Sequence, residues 1–206
     1  MPVVSLNETF DNEKLDTLLS WLNPPANWRI EASRSRLVVE PDGGTDFWQR
    51  THYGFRAVNG HLLKAELSGD AVISSQIQSY PVHQYDQAGV MVWFSDDCWL
   101  KASVEFEHEG PSQLGAVATN YGFSDWSLQD FVPETSSLSY GLQIRRAGGD
   151  FSVEYRSTPH EPWKLIRLAH LSPGAGQPCL AGVYACSPKA AGFRAEFDFL
   201  TIDSRT

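Results

Sequence analysis

Apolar and polar residues alternate along most of this chain with a period of two, the spacing that sends successive side chains to opposite faces of a β-strand. The clearest run follows Trp99: Leu100, Ala102, Val104 and Phe106 alternate with Lys101, Ser103, Glu105 and Glu107. One face of that strand is greasy and the other is charged. The same alternation sets Leu63, Ala65 and Leu67 against Lys64 and Glu66, and Leu142 and Ile144 against Gln143 and Arg145. Near the C-terminus it sets Phe193, Ala195, Phe197 and Phe199 against Arg194, Glu196 and Asp198 in one last strand. Residues 88–94 differ, being apolar at every position except Gly89, which predicts a central strand buried on both faces.

Turn signals separate these runs, among them Pro41-Asp42-Gly43-Gly44, Ser95-Asp96-Asp97, Gly148-Gly149 and Pro173-Gly174-Ala175-Gly176. Residues 28–32 and 36–40 read as one hairpin, 61–68 and 71–77 as a second, and the runs flanking Gly148-Gly149 as a third. Any short helix in residues 15–22 ends at Pro24-Pro25, and residues 121–131 are expected to form a loop over the sheet edge. The small residues Gly115, Ala116 and Ala118 leave room above a sheet for a ligand or a loop. About fourteen short strands with no long helix predict an all-β fold, two antiparallel sheets packed as a sandwich, in a single domain over residues 1–206.

Composition narrows the function. Aromatic residues make up 12% of the chain, enough to fill a core and still present rings to a sugar. A formal charge of −9 with no Lys/Arg cluster argues against a nucleic-acid partner. The three cysteines have no metal-ligand spacing and are expected to be reduced and buried. The six histidines are scattered and no Asp-rich loop suits calcium, so no metal or cofactor is expected. With no basic-then-apolar leader and no apolar run of about 18 residues, a soluble cytoplasmic protein is expected.

Several ordered segments carry a resemblance: Asn23-Pro24-Pro25, Thr45-Asp46-Phe47-Trp48-Gln49-Arg50-Thr51, Tyr85-Asp86-Gln87-Ala88-Gly89, Trp99-Leu100-Lys101, Ser124-Asp125-Trp126-Ser127 and Tyr184-Ala185-Cys186-Ser187-Pro188. Together they resemble the family related to the regulation-of-enolase protein, in the concanavalin A-like lectin/glucanase superfamily. The resemblance implies a jelly roll of two curved antiparallel sheets whose concave face is the place for a site. It implies no particular reaction, because one fold hosts many functions.

Three classes of function use that face differently. A carbohydrate-binding module would stack Trp48, Trp99 or Trp126 on a sugar ring and hydrogen-bond its hydroxyls through Asp46, Gln87, Lys101, Glu105, Asp125 and Arg145. A glycoside hydrolase would use Glu105 and Glu107, which lie about 6.5–7 Å apart if they share a strand face. Lys101 and Ser103 stand where the superfamily's glucanases carry acids, and a lysine beside Glu105 is expected to hold that carboxylate ionised. A protein-interaction module, for a metabolic enzyme such as enolase, is the third class, implied by the resemblance alone. The bland alternative pairs Lys101 with Glu105 in a polar network sealed beneath residues 121–131.

Overall fold

The computed structural model describes residues 5–132, 138–172, 174 and 176–205. In chain order the strands are β1 (Ser5–Glu8), β2 (Ser20–Leu22), β3 (Asn27–Glu31), β4 (Arg36–Glu40), β5 (Phe47–Gln49), β6 (Arg56–Val58), β7 (His61–Leu67), β8 (Asp70–Tyr80) and β9 (Gln87–Ser95). They continue with β10 (Cys98–Glu105), β11 (Ser112–Asn120), β12 (Phe123–Phe131), β13 (Leu138–Ala147), β14 (Asp150–Arg156), β15 (Lys164–His170), β16 (Cys179–Cys186), β17 (Arg194–Phe197) and β18 (Leu200–Arg205). Seven strands form one antiparallel sheet in the order β12-β11-β10-β9-β16-β7-β2. Nine form the other, ordered β15-β14-β13-β8-β17-β4-β3, with β18 joining β8 to β1. The small hairpin β5–β6 belongs to neither.

Alternation decides which side chains meet between the sheets. Val90 and Val92 on β9, Leu100, Ala102 and Val104 on β10, and Ala181 and Val183 on β16 face Ile73, Ile77, Leu142, Ile144 and Phe151 from the larger sheet. Each fully buried Val, Leu, Ile or Phe side chain among these contributes about 1.5–3 kcal/mol relative to exposure. The opposite face of the seven-stranded sheet is also covered. Phe47 and Trp48 of β5 lie over Met91, Trp93, Trp99, Val117 and Tyr184 in a second apolar cluster. That cover is why residues 88–94 are apolar at both parities.

Several expected elements differ in detail. Strands β7 and β8 are not hairpin partners: β7 pairs with β16, whereas β8 pairs with β13. Ser68-Gly69, with Gly69 at φ 79°, carries the chain from one sheet to the other instead of folding it back within one. Residues 121–131 are not a loop, because β12 pairs with β11 from Asn120↔Phe123 to Ser112↔Phe131. Tyr121 (φ 53°) and Gly122 (φ 74°) both take the left-handed conformation that two-residue hairpin turns of the primed type require. Residues 15–22 hold no helix and end in β2; the last predicted strand is β17, and a further strand, β18, follows it where none is expected. Pro173 and Ala175 of the expected 173–176 turn lie outside the described residues. Among the described residues no helix is long and apolar enough to cross a membrane. Cys98, Cys179 and Cys186 are free and buried.

Candidate functional site

Strand register assembles the site on the outward face of the seven-stranded sheet. Lys101 is paired with Met91 on one side and with Val117 on the other, and Val117 is paired in turn with Trp126. Two steps along the same face, past Ser103, Glu105 stands beside Gln87, and Gln87 beside Cys186. A row of polar groups thus lies next to a row of apolar ones. Gly115 makes space in this surface, since a Cβ there would come within 2.9 Å of the Trp126 indole nitrogen. Ala116 and Ala118, expected to share that role, face the inter-sheet core instead.

The β5–β6 hairpin is pinned over this face by its own sequence. Phe47 is fully buried, with its ring 5.5 Å from Trp93, 6.1 Å from Trp99 and 6.0 Å from Tyr184. Asn23 Nδ2 donates to the carbonyls of Val58 (2.9 Å) and Gly60 (3.0 Å), and the Gln49 backbone N–H donates to Ser124 Oγ (2.9 Å). Ser187 ties two further segments together: its hydroxyl donates to Asp86 Oδ1 (2.6 Å) and its N–H to Thr45 Oγ1 (3.0 Å). Asp86 also accepts the N–H groups of Val82 (2.9 Å) and His83 (2.7 Å). Most of the signature segments therefore hold the hairpin and the 82–86 turn in place.

Between hairpin and sheet a cavity of about 250 Å³ remains, lined by Asp46, Trp48, Tyr53, Phe55, Tyr85, Gln87, Lys101, Glu105, Val117, Trp126 and Lys189. Its wall is aromatic. Trp48 lies 5.5 Å from Tyr53, 6.5 Å from Phe55 and 6.2 Å edge-on from Trp126. Trp48 Nε1 donates to the Thr51 carbonyl (3.1 Å), which fixes the indole, while Tyr53 and Phe55 are 57% and 46% exposed and form the rim.

The floor is a polar network. Buried Lys101 donates from Nζ to Gln87 Oε1 (2.8 Å) and pairs with Asp46 Oδ1 at 3.4 Å. Gln87 Oε1 also accepts the Tyr184 hydroxyl (3.0 Å), and Gln87 Nε2 donates to Glu105 Oε2 (3.0 Å) and the Tyr85 carbonyl (3.3 Å). Gln87 is thereby saturated and positions its neighbours. Glu105 Oε1 and Asp46 Oδ2 have no hydrogen-bond partner among the described residues. Burial pushes the Glu105 carboxyl up to about 8; Lys101 opposes the shift, and Asp46 and Glu107 add to it. The expectation that Lys101 keeps Glu105 ionised is reversed, because the lysine spends its contacts on Gln87 and Asp46 and leaves the acid poorly solvated.

Six of the expected residues thus converge: Asp46, Trp48, Gln87, Lys101, Glu105 and Trp126. Four do not. Trp99 is fully buried beneath Phe47, parallel to Trp93 at 6.5 Å, and offers no face to a ligand. Asp125 projects from the other side of β12 to pair with Arg167 at 2.9 Å. Arg145 lies on the other sheet and pairs with Glu154 at 3.1 Å. Glu107 follows the end of β10, accepts from Gln84 Nε2 (2.8 Å) and lines a separate groove. Tyr53, Phe55, Tyr85, Val117 and Lys189 were not expected. The ring-rich 45–55 segment signals the first two, but nothing local in the sequence marks Lys189. No group of His, Cys, Asp and Glu able to hold a metal exists among the described residues.

Two antiparallel sheets packed face to face, one of them covered on its outer face by a hairpin over an aromatic pocket, define a concanavalin A-like jelly-roll β-sandwich. The chain belongs to the family described as "Protein of unknown function (DUF1349)", whose model matches residues 21–205. It is 34% identical over 178 residues to "Regulation of enolase protein 1" of Saccharomyces cerevisiae, covering 86% of this chain and 85% of that one. A crystal structure of a functionally unknown protein from Saccharomyces cerevisiae superposes with a TM-score of 0.82 at 30% identity, over 92% of this chain and 98% of that one. The xylan β-1,4-xylosidase of Bacillus halodurans shares the fold over 95% of this chain and 38% of its own, with a TM-score of 0.74 and 13% identity.

Proposed function

We propose that the chain is a non-catalytic carbohydrate-binding module whose ligand occupies the pocket under the β5–β6 hairpin. The observation that carries this reading is one cavity with an aromatic wall and a polar floor. Ring faces of Trp48 and Trp126 suit the C–H faces of a sugar, and Asp46 and Glu105 each keep an oxygen for its hydroxyls. At about 250 Å³ the space fits one sugar ring, below the ~300–1,000 Å³ typical of drug-sized ligands. Hydrolysis in its usual form needs two carboxylates flanking the scissile bond. The anticipated pair, Glu105 and Glu107, is divided between two cavities, and Asp46, the other carboxylate beside Glu105, is tied to Lys101, which supports binding without turnover. Three buried free thiols are in keeping with the expected cytoplasmic setting.

A thermal-shift screen of the full chain against mono- and oligosaccharides tests this, with Trp126→Ala as control. A ligand bound only by the folded state raises the melting temperature, and the shift is expected to vanish in the variant while the fold remains. No saturable shift with any sugar would refute the proposal. A second reading, a regulatory module for a metabolic enzyme such as enolase, is favoured by the name of the 34%-identical yeast relative. It predicts sugar-independent binding to purified enolase, measured by calorimetry.

A further inference from the structure

Resting on the carbohydrate-binding reading, we propose that the pocket selects an anionic sugar, with the ring on Trp48 and Trp126 and a carboxylate or phosphate substituent held between Lys189 and the carboxyl of Glu105. The charges in the pocket favour this class. Lys101 and Asp46 form an ion pair at 3.4 Å and cancel each other. Lys189 is exposed, lies over the Tyr85 ring at 5.1 Å and has no carboxylate partner among the described residues. Glu105 lines the same cavity and has one carboxyl oxygen bonded to Gln87 and the other free. With its proton on the free oxygen, Glu105 is a donor and repels nothing. The pocket then holds one unbalanced positive charge on a chain whose formal charge is −9. A cationic sugar would meet Lys101 and Lys189 with no free carboxylate to receive it; a neutral one would leave Lys189 unused.

Burial outweighs Lys101, which opposes a donor role for Glu105, and Asp46 and Glu107 add to the effect of burial. Of the groups facing Glu105, Lys101 comes from its own strand, Asp46 from the segment before β5, Glu107 from beyond β10, Tyr85 from the turn before β9, Gln87 from the start of β9, Tyr184 and Cys186 from β16, and Lys189 from beyond β16. Burial raises Tyr184 and Cys186 well above their ordinary values, so both stay neutral where Glu105 titrates. Glu105 itself changes state near pH 8. Its protonated fraction drops about tenfold between pH 7 and pH 9, and an anion's affinity should drop with it.

The test is calorimetric titration of the full chain with glucuronate, glucose 6-phosphate and glucose at pH 7 and pH 9. We expect at least one of the two anions to bind tenfold or more tightly than glucose at pH 7, and the choice between them identifies carboxylate or phosphate as the recognised group. That advantage should shrink about tenfold at pH 9. Lys189→Ala should bring the anion-to-glucose affinity ratio toward one. Glu105→Gln, whose amide donates at either pH, should keep the ratio at pH 7 and lose its pH dependence. Glucose binding as tightly as both anions overturns this inference and leaves the carbohydrate reading standing, as does a ratio that Lys189→Ala leaves untouched. Binding of none of the three overturns this inference, and the carbohydrate reading falls with it only if the wider sugar screen is silent as well.

Discussion

Replacing Glu105 with glutamine is expected to flatten the pH dependence of folding stability between pH 5 and pH 9. In the folded chain the carboxyl is pushed from an ordinary 4.5 up to about 8, mainly by burial. The folded state therefore keeps a proton that the unfolded chain releases in that interval. The stability linked to this proton is fully present below pH 4.5 and is lost as pH rises through 8. At about 1.4 kcal/mol per pH unit the interval corresponds to an upper figure of about 5 kcal/mol. Because Glu105 is partly open to the pocket, solvent screening reduces this to about 3 kcal/mol. Glutamine has nearly the same shape and can still accept from Gln87 Nε2, so it preserves the contact while removing the titration. Urea unfolding of both proteins, followed by fluorescence of the seven tryptophans, measures the difference directly. From pH 5 to pH 9 the wild type should lose about 3 kcal/mol more than the variant. Parallel stability curves, within about 1 kcal/mol at every pH, would refute the assignment of a neutral Glu105.

Two substitutions probe how the hairpin is held. Phe47→Ala removes a fully buried ring from between Trp93, Trp99 and Tyr184 and should cost about 3–5 kcal/mol in urea unfolding, with faster amide exchange in β5 and β6; a loss under about 1 kcal/mol would mean the hairpin is not seated on the sheet. Asp86→Ala strips the acceptor from the Val82 and His83 N–H groups and the Ser187 hydroxyl, and should lower stability by about 2–4 kcal/mol. An unchanged unfolding midpoint would show that water replaces the carboxylate there.

The two-sheet architecture was legible because burial on one face writes itself as alternation, and Leu100, Ala102 and Val104 carried that record plainly. Strands β7 and β8 look like a hairpin in the sequence because alternation reports which face is buried and not which sheet the next strand joins. Ser68-Gly69 looks the same locally whether the chain returns to its own sheet or crosses to the other. Strand β12 reads as a loop in the sequence for a related reason. As an edge strand it has a weak pattern, with Phe123, Asp125 and Leu128 exposed, and a Tyr-Gly turn replaces the more telling Asn-Gly.

The site was legible where chemistry conflicted with burial. Lys101 and Glu105 stand on an otherwise apolar sheet beside a segment dense in rings and charges, a pattern that fits a binding site and a sealed polar network alike. What no local pattern contains is the sorting of those residues by the third dimension. Trp99 and Trp126 look alike in sequence, yet Phe47 seals the first while the second lies at the pocket wall. Asp46 and Asp125 look alike too, yet only Asp46 reaches Lys101. The same sorting explains the altered state of Glu105. Burial pushes its carboxyl up to about 8, Lys101 spends its contacts on Asp46 and Gln87, and one oxygen of this last acid in the row has no partner among the described residues. A carboxyl buried in this way weakens the fold at neutral pH relative to an apolar side chain. Such a local loss of stability beside an aromatic pocket is what a binding site, rather than a structural core, would retain.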